Sequence, residues 1–115
     1  DPFSHPTVIA IIDPDAVNAR QTIASLRKAI ADSPQETNLI LAFTGSNTDR
    51  IEELAGTPAV NETMLISARS LARSCGTAVF PTVLVAESSG KIGNVILGEN
   101  NNMTRDVIQS LKLVY

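Results

Sequence analysis

The sequence has few of the residues that most often carry catalysis or bind metals. It contains one cysteine, Cys75, and one histidine, His5, among 115 residues, and it has no tryptophan. A single cysteine forms no intrachain disulfide and no cysteine-based zinc site. A Ser-His-Asp triad or a catalytic metal site would depend on His5 alone, close to the start of the chain. We therefore predict neither an enzyme of these types nor a metal centre.

Basic clusters and long apolar runs are also absent. The net charge is −3 with a pI near 5.0, and the longest basic cluster is Arg27-Lys28, so nucleic acid is not an expected partner. No apolar run approaches the ~18 residues of a membrane span, and no signal segment is visible, so we expect no direct membrane insertion of this domain. The length fits a single domain over residues 1–115, with residues 1–6 as an N-terminal arm.

The first half of the sequence alternates strand and helix patterns. The run "TVIAII" (7–12) is continuous, apolar and β-branched, which is typical of a buried central strand. Apolar residues at spacings of three and four over 16–30 predict an amphipathic helix, and "NLILAF" (38–43) predicts a second strand parallel to the first. A short helix from residues 47–49, a brief strand at 62–66 and a helix at 67–76 are expected to follow.

The second half begins with the clearest hairpin pattern. Thr82 to Ala86 and Lys91 to Leu97 flank a Ser-Ser-Gly turn and predict two antiparallel strands. A terminal helix follows, with Val107, Ile108 and Leu111 on its inward face. The complete order predicts an α/β fold with a mixed central sheet of four or five strands and helices on both faces.

This order, together with "VFPTVLVAESSGKIGNVILGE" (79–99), resembles the thioredoxin-like superfamily over residues 7–112. The likeness is greatest to periplasmic thiol-disulfide oxidoreductases of the cytochrome-maturation type. Phe80-Pro81-Thr82 matches the cis-proline position of that family, and "LARSCG" (71–76) resembles the segment before it. The resemblance implies a three-layer thioredoxin-like sandwich and a periplasmic or secretory location.

The family's motif would place two cysteines at Ala16 and Ala19, where this sequence has none. The usual oxidoreductase activity therefore does not carry over. We predict a redox-inactive domain without a cofactor that binds a protein or an extended peptide, as part of a larger secreted, periplasmic or membrane-attached protein. The expected binding groove combines the turn before the first helix with the proline loop, and its residues are Asp13, Pro14, Asp15, Asn18, Val79, Phe80 and Pro81.

Two pairs of charged residues have a simpler structural interpretation. Asp13 and Asp15 flank Pro14, and we expect them to cap the first helix with a side-chain oxygen and negative charge at its positive end. Arg69 and Arg73 lie one helical turn apart, and we interpret them as solvated helix surface rather than as an anion site.

Two alternative functions stay open. The protein could be a single-cysteine redox protein that uses Cys75, although a position at the end of an apolar helix face favours an inert core thiol. It could instead be a small-ligand or ion-sensing domain. Asp13, Asp15 and Asn18 have the oxygen atoms that Ca²⁺ prefers, but their spacing matches no known calcium loop. Asn61 and Asn102 begin glycosylation sequons, which are meaningful only in a eukaryotic secretory chain.

Overall fold

The computed structural model describes residues 5–33, 36–74, 76, 81–97 and 103–114. In chain order its elements are β1 (Thr7–Ile12), α1 (Ala19–Asp32), β2 (Asn38–Phe43), α2 (Thr48–Ala55), β3 (Glu62–Leu65), α3 (Arg69–Ser74), β4 (Thr82–Ala86), β5 (Ile92–Leu97) and α4 (Met103–Val114). The first four residues of the expected N-terminal arm, together with Cys75, Val79, Phe80 and Asn102, lie outside the described residues.

The strands form one mixed sheet in the order β3-β2-β1-β4-β5. β1 pairs with β2 and β2 with β3 in parallel, whereas β4 is antiparallel to both β1 and β5. The predicted parallel βαβ unit, the hairpin and the central position of β1 are all confirmed. The α/β fold class with a mixed five-stranded sheet is therefore confirmed.

One face of the sheet packs against α1, α2 and α4. Side chains alternate between the two faces of a strand, so every second residue of β1 and β2 points to these helices. The resulting core includes Val8, Ala10, Ile12, Leu39, Leu41 and Phe43 from the sheet, Ile23 and Leu26 from α1, Leu54 from α2, and Val107 and Leu111 from α4. Among the described residues, no helix is long and apolar enough to cross a membrane.

The other face of the sheet packs against α3, which completes the three-layer sandwich. The buried cluster on this face is small and consists of Ile11, Ala42, Ala68 and Ala72. Two backbone hydrogen bonds connect the start of α3 to the end of β2. The N–H of Ser67 donates to the carbonyl of Gly45 (2.9 Å), and the N–H of Ala68 donates to that of Phe43 (2.8 Å). Ser67 adopts a positive φ of 56° at this turn.

The helix-capping prediction for Asp13 and Asp15 is wrong. α1 begins at Ala19, its N-cap residue is Asn18 without a side-chain hydrogen bond, and its first turn contains no acidic residue. The Asp13 carboxylate instead accepts a hydrogen bond from the N–H of Asp15 (2.9 Å). An aspartate that bonds a backbone N–H two residues later forms a local turn, which competes with helix initiation. The two acids therefore shape the loop before α1.

Candidate functional site

A pocket of about 380 Å³ opens at the ends of β1 and β2. The carboxyl ends of parallel strands lie at the same edge of a sheet, so the loops that follow β1 and β2 meet there. A hydrogen bond from the N–H of Thr44 to the carbonyl of Ile12 (2.9 Å) joins these two loops. α3 forms the third wall. The pocket is lined by Asp13, Asp15, Thr44, Gly45, Arg69, Ala72 and Arg73.

Close packing of Pro14 against Gly45 fixes the position of the first loop. Pro14 is buried, although the aspartates on either side of it are not. A Cβ atom at Gly45 would lie only 3.1 Å from Cγ of Pro14. Glycine therefore lets the proline ring rest on the backbone that follows β2, and this contact places Asp13 and Asp15 at the pocket.

The pocket carries both signs of charge. Two carboxylates, from Asp13 and Asp15, lie in the loop after β1, and two guanidinium groups, from Arg69 and Arg73, lie on α3. Nε of Arg69 donates to the carbonyl of Thr44 (3.3 Å), which orients this side chain along the pocket wall.

No ion pair joins these carboxylates to these arginines. Within the part of the chain that the structure describes, the side chains of Asp15 and Arg73 form neither a hydrogen bond nor an ion pair. The two signs of charge therefore face the pocket from separate walls.

The strand register places the proline loop at this same edge. Thr82 of β4 pairs with Ile11 of β1, so Pro81 lies level with Ile12, one residue before Asp13. Pro81 is buried, and Asn18 is half-buried at the start of α1. The structure thus brings Asp13, Pro14 and Pro81 to one sheet edge. Val79 and Phe80, the other two residues of the predicted groove, lie outside the described residues, and binding of a peptide here stays a prediction.

Sequence reasoning missed several residues that the structure places at this edge. Val17, two residues after Asp15, has a fully exposed side chain with a relative accessibility of 105%. The sequence signal for this site was a β-branched apolar residue in a turn flanked by aspartate and asparagine. Arg69 and Arg73 were interpreted as general helix surface, because nothing in their local pattern reveals which strand ends α3 approaches.

Metal binding finds no support in the described residues. They contain no group of three or more histidine, cysteine, aspartate or glutamate side chains arranged to hold a metal ion. The two acids at the pocket face arginines, which disfavour a bound cation.

No protein-family model and no curated protein matches this sequence. Solved structures do match. A protein from Chlorobium tepidum, provisionally named as the thiol:disulfide interchange protein DsbE, matches with a TM-score of 0.81 and 14% identity over 99% of this chain and 82% of its own. The exposed lipoprotein thioredoxin Etrx1 of Streptococcus pneumoniae matches with a TM-score of 0.76 and 12% identity over 98% and 87%.

A secreted disulfide oxidoreductase of Mycobacterium tuberculosis, homologous to DsbE of E. coli, matches with a TM-score of 0.72 and 14% identity over 95% of this chain and 81% of its own. At such identities the likeness establishes the fold. The chain has the thioredoxin-like fold seen in DsbE-type thiol-disulfide oxidoreductases, which confirms the resemblance found in the sequence. With a single cysteine, the chain lacks the Cys-x-x-Cys pair.

Proposed function

We propose that this chain is a redox-inactive thioredoxin-like domain that binds an extended segment of a partner protein. The binding surface is the sheet edge formed by the loop over residues 13–18 and the proline loop at Pro81. The observation that supports this most is the complete exposure of Val17, an apolar side chain, in the loop where the sequence resemblance would place reactive sulfur. Val17 belongs to the same loop as Asp13 and Asp15, so a partner that occupies the pocket can also cover this apolar side chain.

An extended peptide can contact this edge through alternate side chains. Successive side chains of an extended chain point to opposite sides, so alternate residues can contact one surface at intervals of about 6.6 Å. In the proposed complex, one side chain of the peptide covers Val17 and another enters the pocket. Covering a valine contributes up to about 1.5 kcal/mol, so the remaining affinity must come from the pocket and from main-chain hydrogen bonds.

The proposal includes an extracytoplasmic location and a larger parent protein. Two of the structural neighbours are a secreted oxidoreductase and an exposed lipoprotein, and the same kind of location is consistent with this fold. The fold alone is a weak guide to function, so the experiment tests the binding surface directly.

The test compares two matched substitutions, Val17→Asp and Val60→Asp. Both valines are fully exposed in loops, at 105% and 108%, but Val60 lies between α2 and β3, away from the pocket residues. A random heptapeptide library displayed on phage is selected on the wild-type chain, and the dissociation constants of the selected peptides are measured for all variants. We expect Val17→Asp to weaken binding by about tenfold or more and Val60→Asp to leave it within about twofold.

Equal binding by wild type and Val17→Asp would show that this edge is not the working surface. Cys75→Ser is included because a partner held through a mixed disulfide would depend on the only thiol. Loss of binding with Cys75→Ser, and retention with Val17→Asp, would favour the single-cysteine redox alternative.

A further inference from the structure

The opposed charges of the pocket point to the kind of segment that it binds. We infer that the pocket recognises a dipolar peptide segment, with an acidic side chain against Arg69 and Arg73 and a basic side chain against Asp13 and Asp15. This inference rests on the proposed function and specifies the chemistry of the ligand.

The arginine wall is suited to a carboxylate. Arg69 and Arg73 are neighbours on α3 at a spacing of four residues, so their like charges repel unless an anion lies between them. Only Nε of Arg69 bonds to Thr44, and its terminal nitrogen donors have no hydrogen bond among the described residues. Planar guanidinium groups bind carboxylates through paired hydrogen bonds. An acidic side chain would satisfy both arginines at once.

The opposite wall is suited to a cationic side chain. One oxygen of the Asp13 carboxylate accepts the N–H of Asp15, and this bond holds both carboxylates in one turn. The Asp15 carboxylate has no partner among the described residues. A lysine or arginine side chain would be attracted to this pair.

The presence of both signs selects against simple ions. A free anion attracted to the arginines is repelled by Asp13 and Asp15, and a free cation attracted to these acids is repelled by the arginines. A short segment that carries both an acid and a base offers a partner to each wall, which neither simple ion does. The walls are largely exposed, so each charge is expected to change affinity by only about threefold.

The experiment selects the random heptapeptide library on wild type, Arg73→Gln and Asp15→Asn. Controls are Arg105→Gln and Asp32→Asn, which alter exposed residues of α4 and α1 outside the pocket lining. On wild type we expect acidic and basic residues each to be enriched about threefold, and peptides that contain both to be enriched about ninefold. Arg73→Gln should reduce the preference for the acid and keep that for the base, and Asp15→Asn should do the reverse. Both controls should match wild type, and the preferences should shrink at 0.5 M salt, chosen on the order of the range where surface charges are screened.

The outcomes separate this inference from the proposed function. Selected peptides that depend on Val17 but show no charge preference overturn the inference and leave the proposed function standing. If no peptide binds in a Val17-dependent manner, both fail. Free lysyl-glutamate that binds as tightly as the selected heptapeptides would assign the pocket to a small zwitterion and overturn its assignment to a protein segment.

Discussion

At the scale of single residues, the contact between Pro14 and Gly45 determines the shape of the site. The proline ring is buried against the backbone after β2, and the flanking acids point to the pocket because of it. A side chain at Gly45 would crowd the ring, since its Cβ atom would lie 3.1 Å from Cγ of Pro14. The loop geometry therefore depends on a residue that has no functional group.

Gly45→Ala is expected to lower the free energy of unfolding by about 1 kcal/mol, because the new methyl group must displace Pro14. The same change should weaken peptide binding by moving Asp13 and Asp15. Urea denaturation measures the first effect and titration with a selected peptide the second. The double variant Pro14→Ala/Gly45→Ala should lose less stability than the sum of the single variants, since the contact is absent. Strict additivity would contradict the steric explanation.

The sequence predicted some of these residues for a physical reason. Asp13 and Asp15 directly follow a buried strand and Pro81 directly precedes another, so the ends of neighbouring strands bring them together. Sequence patterns could not assign Arg69 and Arg73 to the pocket, because their position depends on how α3 packs against its face of the sheet. The capping prediction failed because the same residue types begin helices and close tight turns.

At the scale of elements, Arg27 joins three of them. From α1 it donates to the Glu62 carboxylate of β3, with 2.9 Å between Nη2 and Oε1, and to the carbonyl of Ala55 at the end of α2, at 2.7 Å. The side chain of Glu62 is only 8% exposed. β3 is an edge strand of four residues, so this ion pair contributes to keeping it in the sheet.

Glu62→Gln is expected to lower the free energy of unfolding by about 2 kcal/mol, because a half-buried Arg27 loses its charged partner. Urea denaturation gives the value. Glu53→Gln is the matched control, since its carboxylate is 62% exposed and its ion pairs with Arg20 and Arg50 should each contribute less than about 0.5 kcal/mol. Equal losses for the two variants would show that the Arg27 pair contributes no more than an exposed one.

Most elements follow from their own sequence patterns. β1, β2 and β4 have the predicted bounds, because continuous apolar runs between turn residues define them. α3 covers only Arg69–Ser74 of the predicted 67–76, since Ser67 lies in a turn with a positive φ. Backbone hydrogen bonds to Gly45 and Phe43 hold that turn in place. Because these residues are distant in sequence, the local sequence pattern does not predict the turn.

At the scale of the whole molecule, the two layers of helices differ greatly in the core that they cover. α1, α2 and α4 share one large buried cluster with the sheet, whereas the cluster under α3 has four buried residues, two of them alanines of the α3 segment. Elements with little buried apolar surface open at lower free energy than the rest of a fold. α3, which also carries the two arginines of the pocket, is therefore expected to open at a lower free energy than the helices of the other layer.

Native-state hydrogen exchange should reveal this difference directly. The amide of Ala72, which bonds to the carbonyl of Ala68, is expected to exchange through local opening with about 2 kcal/mol less protection than amides of α1 such as Leu26. Mild urea should change the exchange of Ala72 little and that of Leu26 strongly, because only global unfolding exposes the larger core. Equal protection of the two amides would contradict the asymmetry.

The order of the strands was only partly available from the sequence. A βαβ unit and a tight hairpin make β1 and β2, and β4 and β5, neighbours by general rules. That the hairpin joins the sheet beside β1, rather than beside β3, is a property of the whole fold. In the structure, the pairing of Ile11 with Thr82 places the hairpin there.

α1 begins only at Ala19, and its positive end stabilises an anion only within its first turn. Position 16 precedes this turn by three residues, and its own N–H already donates to the carbonyl of Asp13. A thiol introduced by Ala16→Cys would also have two carboxylates in its own loop, so it would keep its proton at neutral pH. A Cys-x-x-Cys pair at positions 16 and 19 is therefore expected to react slowly, because the thiol at position 16 would not have the lowered pKa on which the attack depends.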